Sequence, residues 1–176
     1  MSSSTGSDPS TDARSRLRLV IDFVVCLVLL VQYLLGMVAN LFVTIPAHHP
    51  GAGASSYFSG AADSIGWLMT SGPAWVAIHA GLGMFLVVGA FVGVGFRLRH
   101  GPRIGAFLAI LGALAILGAA FNGASFITYG HNYSSMIMAG LWALAVACYL
   151  VLMFMEARSL WFGGRAAGEV VAAHEG

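Results

Sequence analysis

The sequence has no lysine, only two cysteines and few charged residues of either sign. Charged residues make up 9% of the 176 residues, whereas soluble domains carry roughly a quarter. Two cysteines cannot build a disulfide framework, and a net charge of +1 without a long basic stretch excludes the usual nucleic-acid binder. A hydrophobic content of 59% excludes disorder for most of the chain, because disorder requires low hydrophobicity and high charge.

Apolar residues are instead concentrated in long runs, at about residues 17–45, 74–96, 104–127 and 132–155. Each run reaches the roughly 20 residues that cross a ~30 Å hydrocarbon layer as a helix. A lone lipid-exposed strand would leave its backbone groups unpaired, so the helix is the required conformation. The sequence therefore predicts an all-α membrane protein whose four-transmembrane-helix domain comprises residues 17–158.

The segments between the runs predict how the helices are arranged. Residues 97–103 and 128–131 are so short that the helices on either side must be adjacent and antiparallel. We therefore expect a four-helix bundle of up-down-up-down topology. The long outer loop, residues 46–73, is rich in glycine, alanine and serine, and its residues 64–69 are amphipathic enough to lie on the membrane surface.

Two tails flank the predicted transmembrane domain. Residues 1–16 are mostly serine, threonine, aspartate, glycine and proline, a composition that predicts a disordered tail. Residues 159–176 are rich in glycine and alanine and predict a second tail.

The distribution of arginine predicts the orientation. With four crossings, every arginine lies on one side of the membrane; they are Arg14, Arg16, Arg18, Arg97, Arg99, Arg103, Arg158 and Arg165. The positive-inside rule then places both termini and residues 97–103 in the cytoplasm, with residues 46–73 and 128–131 outside. The absence of lysine beside abundant alanine and glycine is typical of GC-rich bacteria, so the expected location is a bacterial plasma membrane.

Small residues recur at four-residue spacing in three predicted helices. The rows are Gly89 and Gly93, then Gly105, Ala109 and Ala113 with Ala119 and Gly123, then Ala139, Ala143 and Ala147. Because lipid tails are as apolar as leucine, membrane helices associate through close packing and polar contacts. We expect these rows to be packing faces.

Uncharged polar residues gather in the outer half of the predicted bundle, where polar groups inside a membrane are candidates for function. This polar cluster consists of Gln32, Asn40, Asn122, Ser125, Ser134 and Ser135. His79 is the ionisable side chain well inside the second helix, and imidazole can ligate a metal or relay protons. Alternatively, His79 hydrogen-bonds to an asparagine or serine and holds the helices in register.

A tentative haem site follows from His79, Gly83 and His131. Gly83 lies one turn beyond His79 on the same face, where a missing side chain leaves room for a flat macrocycle. His131 is the histidine of the bundle that could supply a second axial ligand. Methionine thioethers are the alternative ligands, from Met84, Met136 or Met138.

The inner ends carry charges that predict a structural role. Asp22 follows Arg18 at the four-residue spacing of a helical ion pair. Glu156 lies near a helix end, from which a charged side chain reaches the headgroup region.

Two motifs in the second helix, Ile78-His79-Ala80-Gly81-Leu82-Gly83 and Phe96-Arg97-Leu98-Arg99, carry a resemblance. This helix resembles the histidine-bearing helix of small bacterial four-helix b-type cytochromes, which implies haem b with His79 as a ligand. As a whole the chain resembles small four-helix integral membrane proteins of actinobacteria, through residues 40–46 and 122–126. That resemblance implies location and architecture.

Three functions are consistent with the sequence. The first is a non-enzymatic accessory or structural subunit of a membrane complex, because small-residue faces are present without a complete catalytic constellation. Its partners are the lipid bilayer and other membrane subunits or further copies of the chain, with no nucleic acid. The alternatives are a haem b-binding or electron-transfer subunit that uses His79, and a small transporter whose vestibule is the polar cluster.

Overall fold

The protein folds as an all-helical bundle, according to a computed structural model that describes the backbone of residues 9–175 and the side chains of residues 13–161. Its helices are α1 (Pro9–Phe42), α2 (Tyr57–Ser71), α3 (Ala74–His100), α4 (Arg103–Tyr129) and α5 (Asn132–Glu175). Of these, α1, α3, α4 and α5 are long and apolar enough to cross a membrane. The all-α class and the four long apolar helices predicted from the sequence are thus confirmed.

Proline and glycine residues mark the ends of α3 and α4. Pro73 and Pro102 stand at the N-caps of α3 and α4, where a residue without a backbone N–H leaves no helical hydrogen bond unmade. Gly130 ends α4 in the left-handed conformation, with φ at 70°, and its N–H donates to the carbonyl of Phe126. As a result, the connections on either side of α3 and α4 are only two residues long.

The helices are longer than the apolar runs. Helix α1 begins at Pro9, inside the predicted tail of residues 1–16, of which residues 1–8 lie outside the described part. Within this polar start, Ser15 is buried and accepts a hydrogen bond from Arg18 of the next turn, which itself binds Glu156 of α5. Helix α5 likewise continues through the predicted second tail, residues 159–175, whose alanine, arginine and glutamate favour helix.

The long loop of residues 46–73 contains helix α2. Its buried residues recur at helical spacing and face α4 and α3; they are Gly60, Ala61, Ser64 and Leu68. Gly51 supports this packing, because its φ is 84° and a Cβ there would lie 2.2 Å from the carbonyl oxygen of Gly60. The Gly53 N–H donates to the carbonyl of Thr128, which joins the loop to the end of α4.

Helices α1 and α4 each contact both α3 and α5, which closes a ring of four. Helix α4 is the most enclosed, with 39% of its apolar window buried against 17% for α1 and α3. Its small residues bring α5 close, so that the Tyr149 ring lies against Gly112. The row Gly105, Ala109 and Ala113 is buried as expected.

Ala119 and Gly123 of α4 also face the interior, since a Cβ at Gly123 would lie 3.3 Å from Sδ of Met138. The small-residue rows of α3 and α5, in contrast, do not pack inside the bundle. A Cβ added at Gly89 or Gly93 of α3 would meet nothing within 4 Å. Ala139, Ala143 and Ala147 of α5 are exposed, because α5 turns Ala145, Cys148 and Leu152 toward the core instead. Spacing alone identified small-residue faces, and it did not tell the inward row from the outward ones.

Candidate functional site

Helices α1 and α3 are joined by a reciprocal contact between Gln32 and His79. The Nδ1 of His79 lies 3.1 Å from the carbonyl oxygen of Gln32, and it must donate because a carbonyl only accepts. In return, Nε2 of Gln32 donates to the carbonyl oxygen of His79 over 3.0 Å. The same amide nitrogen lies 3.5 Å from the ring Nε2 of His79. His79 therefore bridges helices, through a glutamine and not through the asparagine or serine expected.

Each of these side chains lies over a glycine of the opposite helix. A Cβ at Gly36 would lie 2.9 Å from Cε1 of His79, and a Cβ at Gly83 would lie 3.0 Å from Nε2 of Gln32. Both glycines are thus required by close approach of a side chain. The space over Gly83, which the sequence assigned to a macrocycle, holds the amide of Gln32.

A cavity of about 450 Å³ opens beside this contact, between the four long helices. Ile65 of α2 contributes to its lining, together with apolar residues such as Leu86 and Ile116. The polar side chains that line it are Gln32, Tyr33, Asn40, His79, Ser135 and Trp142. This volume is within the range of roughly 300–1,000 Å³ typical of ligand sites. We call it the bundle cavity.

The polar cluster expected from the sequence divides into two groups. Gln32, Asn40 and Ser135 line the bundle cavity, where Ser135 donates to Oδ1 of Asn40 over 3.4 Å. Asn122 and Ser125 instead donate to backbone carbonyls of their own helix, at 2.9 and 3.1 Å. Back-bonding of this kind is an ordinary alternative for polar side chains in apolar helices.

Ser134 of the same cluster is buried in the first turn of α5. It is 1% exposed, and its hydroxyl oxygen finds no hydrogen-bond partner in the part of the chain that the structure describes. It does not line the bundle cavity.

His131 lies apart from His79, in a second cavity of about 850 Å³ that His48 and His49 also line. Its ring stacks on Tyr133 at a centroid distance of 5.0 Å. His79 faces the bundle cavity, where the thioether candidates Met84, Met136 and Met138 also lie. The described side chains contain no group of three histidine, cysteine or acidic residues that could hold a metal ion.

These positions do not fit a haem held by His79 and His131. One ring nitrogen of His79 is used in the contact with α1, the other faces the Gln32 amide, and Gly83 is covered. His131 lines a different cavity. The arrangement of these side chains therefore gives the haem prediction no support.

A buried network of charges joins three helices at one end of the bundle. Arg18 of α1 binds Glu156 of α5 through two bonds, of 2.7 and 3.2 Å. Arg97 of α3 lies 3.3 Å from the same carboxylate and also binds Asp22 of α1. The Arg97 guanidinium fits over Gly105 of α4, where a Cβ would lie 3.3 Å away. We call this set the arginine network, and the end that it occupies the arginine end.

The sequence interpretation of these charges was incomplete. It expected Arg18 and Asp22 to pair within α1, whereas each binds a partner on another helix. It also expected Glu156 to reach the headgroups, whereas this side chain is 7% exposed and bound by two arginines. The sequence does contain a signal for this network. Two arginines and two acidic residues lie on three helices, at similar distances from the helix ends. Equal and opposite charges at one depth indicate mutual pairing.

No family model, curated protein or solved structure matches this chain. The polar side chains inside the bundle lie in two regions, the arginine network and the bundle cavity.

Proposed function

We propose that this protein is a non-enzymatic accessory or structural subunit of a membrane complex. The observation that carries this proposal is the outward face of α3. Gly89 is exposed, Gly93 lies four residues on, and neither has a neighbour within 4 Å of an added Cβ. Small residues at this spacing let the backbone of a second helix approach closely. The row thus offers a contact surface for another transmembrane helix, from a partner subunit or a second copy.

The proposed topology is up-down-up-down, with both termini in the cytoplasm of a bacterium. Arg18 near the start of α1 meets Arg97 near the end of α3 in one network, which supports antiparallel packing of these helices. The sequence between residues 43 and 73 contains no arginine or lysine. The positive-inside rule then favours the arginine end as the cytoplasmic one.

The experiment is crosslinking in native membranes, with recovery of the tagged chain. The double variant Gly89→Ile/Gly93→Ile is expected to lose most of the crosslinked partner, because two branched side chains hold the second helix away. Gly95→Ile is the matched control, since Gly95 is also open but lies off the row. Equal crosslinking in the double variant, or a strictly monomeric chain without any partner, would contradict the proposal.

The two alternatives make different measurable claims. A haem b subunit predicts a Soret band in protein purified with adequate haem supply, and its absence ends that alternative. A transporter predicts solute flux in liposomes that His79→Leu or Asn122→Leu abolishes. Asn122 lies outside the bundle cavity, so flux sensitive to His79 alone would point to the cavity as the path.

A further inference from the structure

Gln32 lines the bundle cavity, and one of its hydrogen-bonding atoms has no partner among the described residues. Oε1 of Gln32 is buried and accepts no hydrogen bond from the described residues. The amide cannot be turned to relieve this. Its nitrogen faces two acceptors, the carbonyl oxygen of His79 and the ring Nε2, which is unprotonated because Nδ1 carries the hydrogen. Turning the amide would place Oε1 against both acceptors, so the orphan atom is an acceptor that needs a donor.

The remaining lining determines what else an occupant must be. No arginine, aspartate or glutamate is among the residues that line the bundle cavity. A charged molecule would therefore lose its hydration without gaining a counter-charge. An apolar, uncharged body matches these walls, and a donor group matches Gln32.

Several residues that line the bundle cavity are also exposed on the sides of α1 and α5; they are Met37, Met136 and Ala139. Beyond the arginine network, Trp142 of α5 donates to the carbonyl of Leu29 over 2.8 Å and stacks on Tyr33 at a centroid distance of 4.5 Å. Further along the same pair of helices, Ser135 donates to Asn40. Ser135 and Trp142 are seven residues apart, which is about 10 Å along a helix at a rise of ~1.5 Å per residue. Met136 lies in this interval and lines the cavity while 73% of its surface is exposed. The interval is thus a window that faces the lipid.

We propose that the bundle cavity binds an uncharged lipid-soluble molecule with a hydroxyl group, which enters from the bilayer between α1 and α5. The hydroxyl donates to Oε1 of Gln32, which is buried in this structure and which a small movement of the cavity wall uncovers. The apolar body lies along α3 and α4. Residence in the bilayer concentrates such a molecule at the window, so binding needs no passage through water. This site is independent of the outward face of α3, and the two proposals can fail separately.

The experiment uses the full chain in nanodiscs and two photoreactive probes. One is a long-chain primary alcohol with a diazirine in its chain, and the other is its methyl ether, which has no donor. The alcohol is expected to bind about tenfold more tightly than the ether, the effect of one buried hydrogen bond. Its photoproducts are expected on peptides that contain Met37 of α1 and Met136 of α5, both of which line the cavity.

Two variants separate the hydroxyl contact from the cavity. Gln32→Met keeps the side-chain length and is expected to bind both probes equally. Ala119→Phe fills the cavity from α4 and is expected to weaken both probes at least about tenfold. Its control is Leu114→Phe on the lipid-facing side of α4, where the side chain is exposed and outside the lining. Equal affinity of the unchanged protein for the two probes would overturn the proposal, and so would unchanged binding by Ala119→Phe.

Discussion

The arginine end and the bundle cavity differ in how they accommodate buried polar side chains. Both place polar side chains inside an apolar bundle, where an unpaired polar group is costly. At the arginine end, two guanidinium groups and two carboxylates neutralise one another and are almost fully buried. At the cavity, the polar groups are uncharged, and one acceptor is left over. A closed network indicates a structural role, and an incomplete one indicates a place for a ligand.

The largest expected effect comes from unbalancing the arginine network. Arg97→Leu leaves Asp22 without its bound partner, and loss of one partner of a buried ion pair costs about 3–5 kcal/mol. The free energy of unfolding, measured in detergent micelles, should fall by that amount. Removing Asp22 alone by Asp22→Leu should have a similar effect.

The double variant Asp22→Leu/Arg97→Leu sharpens this prediction. It removes one charge of each sign and leaves Arg18 paired with Glu156, so it should be less destabilised than either single variant. Arg99→Leu, at an exposed position of α3, is the control for the loss of a positive charge. Simple addition of the two single effects would show that the network is not a balanced unit.

A smaller effect is expected at the glycine that receives His79. Gly36→Ala forces the imidazole away from α1, because the added Cβ would lie 2.9 Å from Cε1. Overpacking of this kind costs about 1–3 kcal/mol. Gly89→Ala adds the same methyl group to α3 where nothing lies within 4 Å, and it should leave the unfolding free energy of the monomer unchanged or slightly raised. Equal destabilisation by both substitutions would contradict the close contact.

The smallest effect concerns His49 in the loop of residues 46–73. Its Nδ1 and Nε2 lie 2.9 and 3.2 Å from the carbonyl oxygens of Pro50 and Ile127. A neutral imidazole donates from one nitrogen, so one of these contacts is a hydrogen bond. The ring also stacks on Trp67 of α2 at a centroid distance of 4.5 Å. His49→Ala removes both kinds of contact and should loosen the packing of α2.

Hydrogen exchange of the α2 amides, compared between the unchanged protein and His49→Ala, measures this effect. Loss of one hydrogen bond costs about 1 kcal/mol, so protection should fall about fivefold. His131→Ala is the control, because His131 lines the same cavity as His49 and stacks on Tyr133 instead of α2. It should leave the protection of α2 unchanged. Equal protection of α2 in His49→Ala and the unchanged protein would contradict the prediction.

The four long helices were predictable from the sequence because they depend on local composition. An apolar run of sufficient length must be helical in a membrane, wherever its neighbours lie. Helix α2 was harder to predict, because its buried face consists mostly of small residues. Such a face gives only a weak hydrophobic signal in the sequence, although α4 packs on it in the structure. The start of α1 was missed because residues 9–16 are polar, and the burial of Ser15 beside Arg18 and its distant partner Glu156 is not visible in local composition.

The residues of the candidate site could be predicted from the sequence, but their contacts with one another could not. His79 and Gln32 were both identified as polar residues of one half of the bundle. Their partnership across α1 and α3 depends on helix rotation, which four-residue spacing does not specify. The same limit applies to Gly83. A glycine indicates that another group approaches the backbone closely, but the sequence does not show that this group is Gln32.

The central claim is that the arginine end has a structural role and that the bundle cavity binds a ligand. The most direct test is the affinity for the long-chain alcohol probe. It should be measured in Asp22→Leu/Arg97→Leu and in Ala119→Phe. The first variant should bind within about twofold of the unchanged protein, and the second should bind at least about tenfold more weakly. If the change at the arginine end weakens binding as much as the filled cavity does, the two regions are not separate and the account is contradicted.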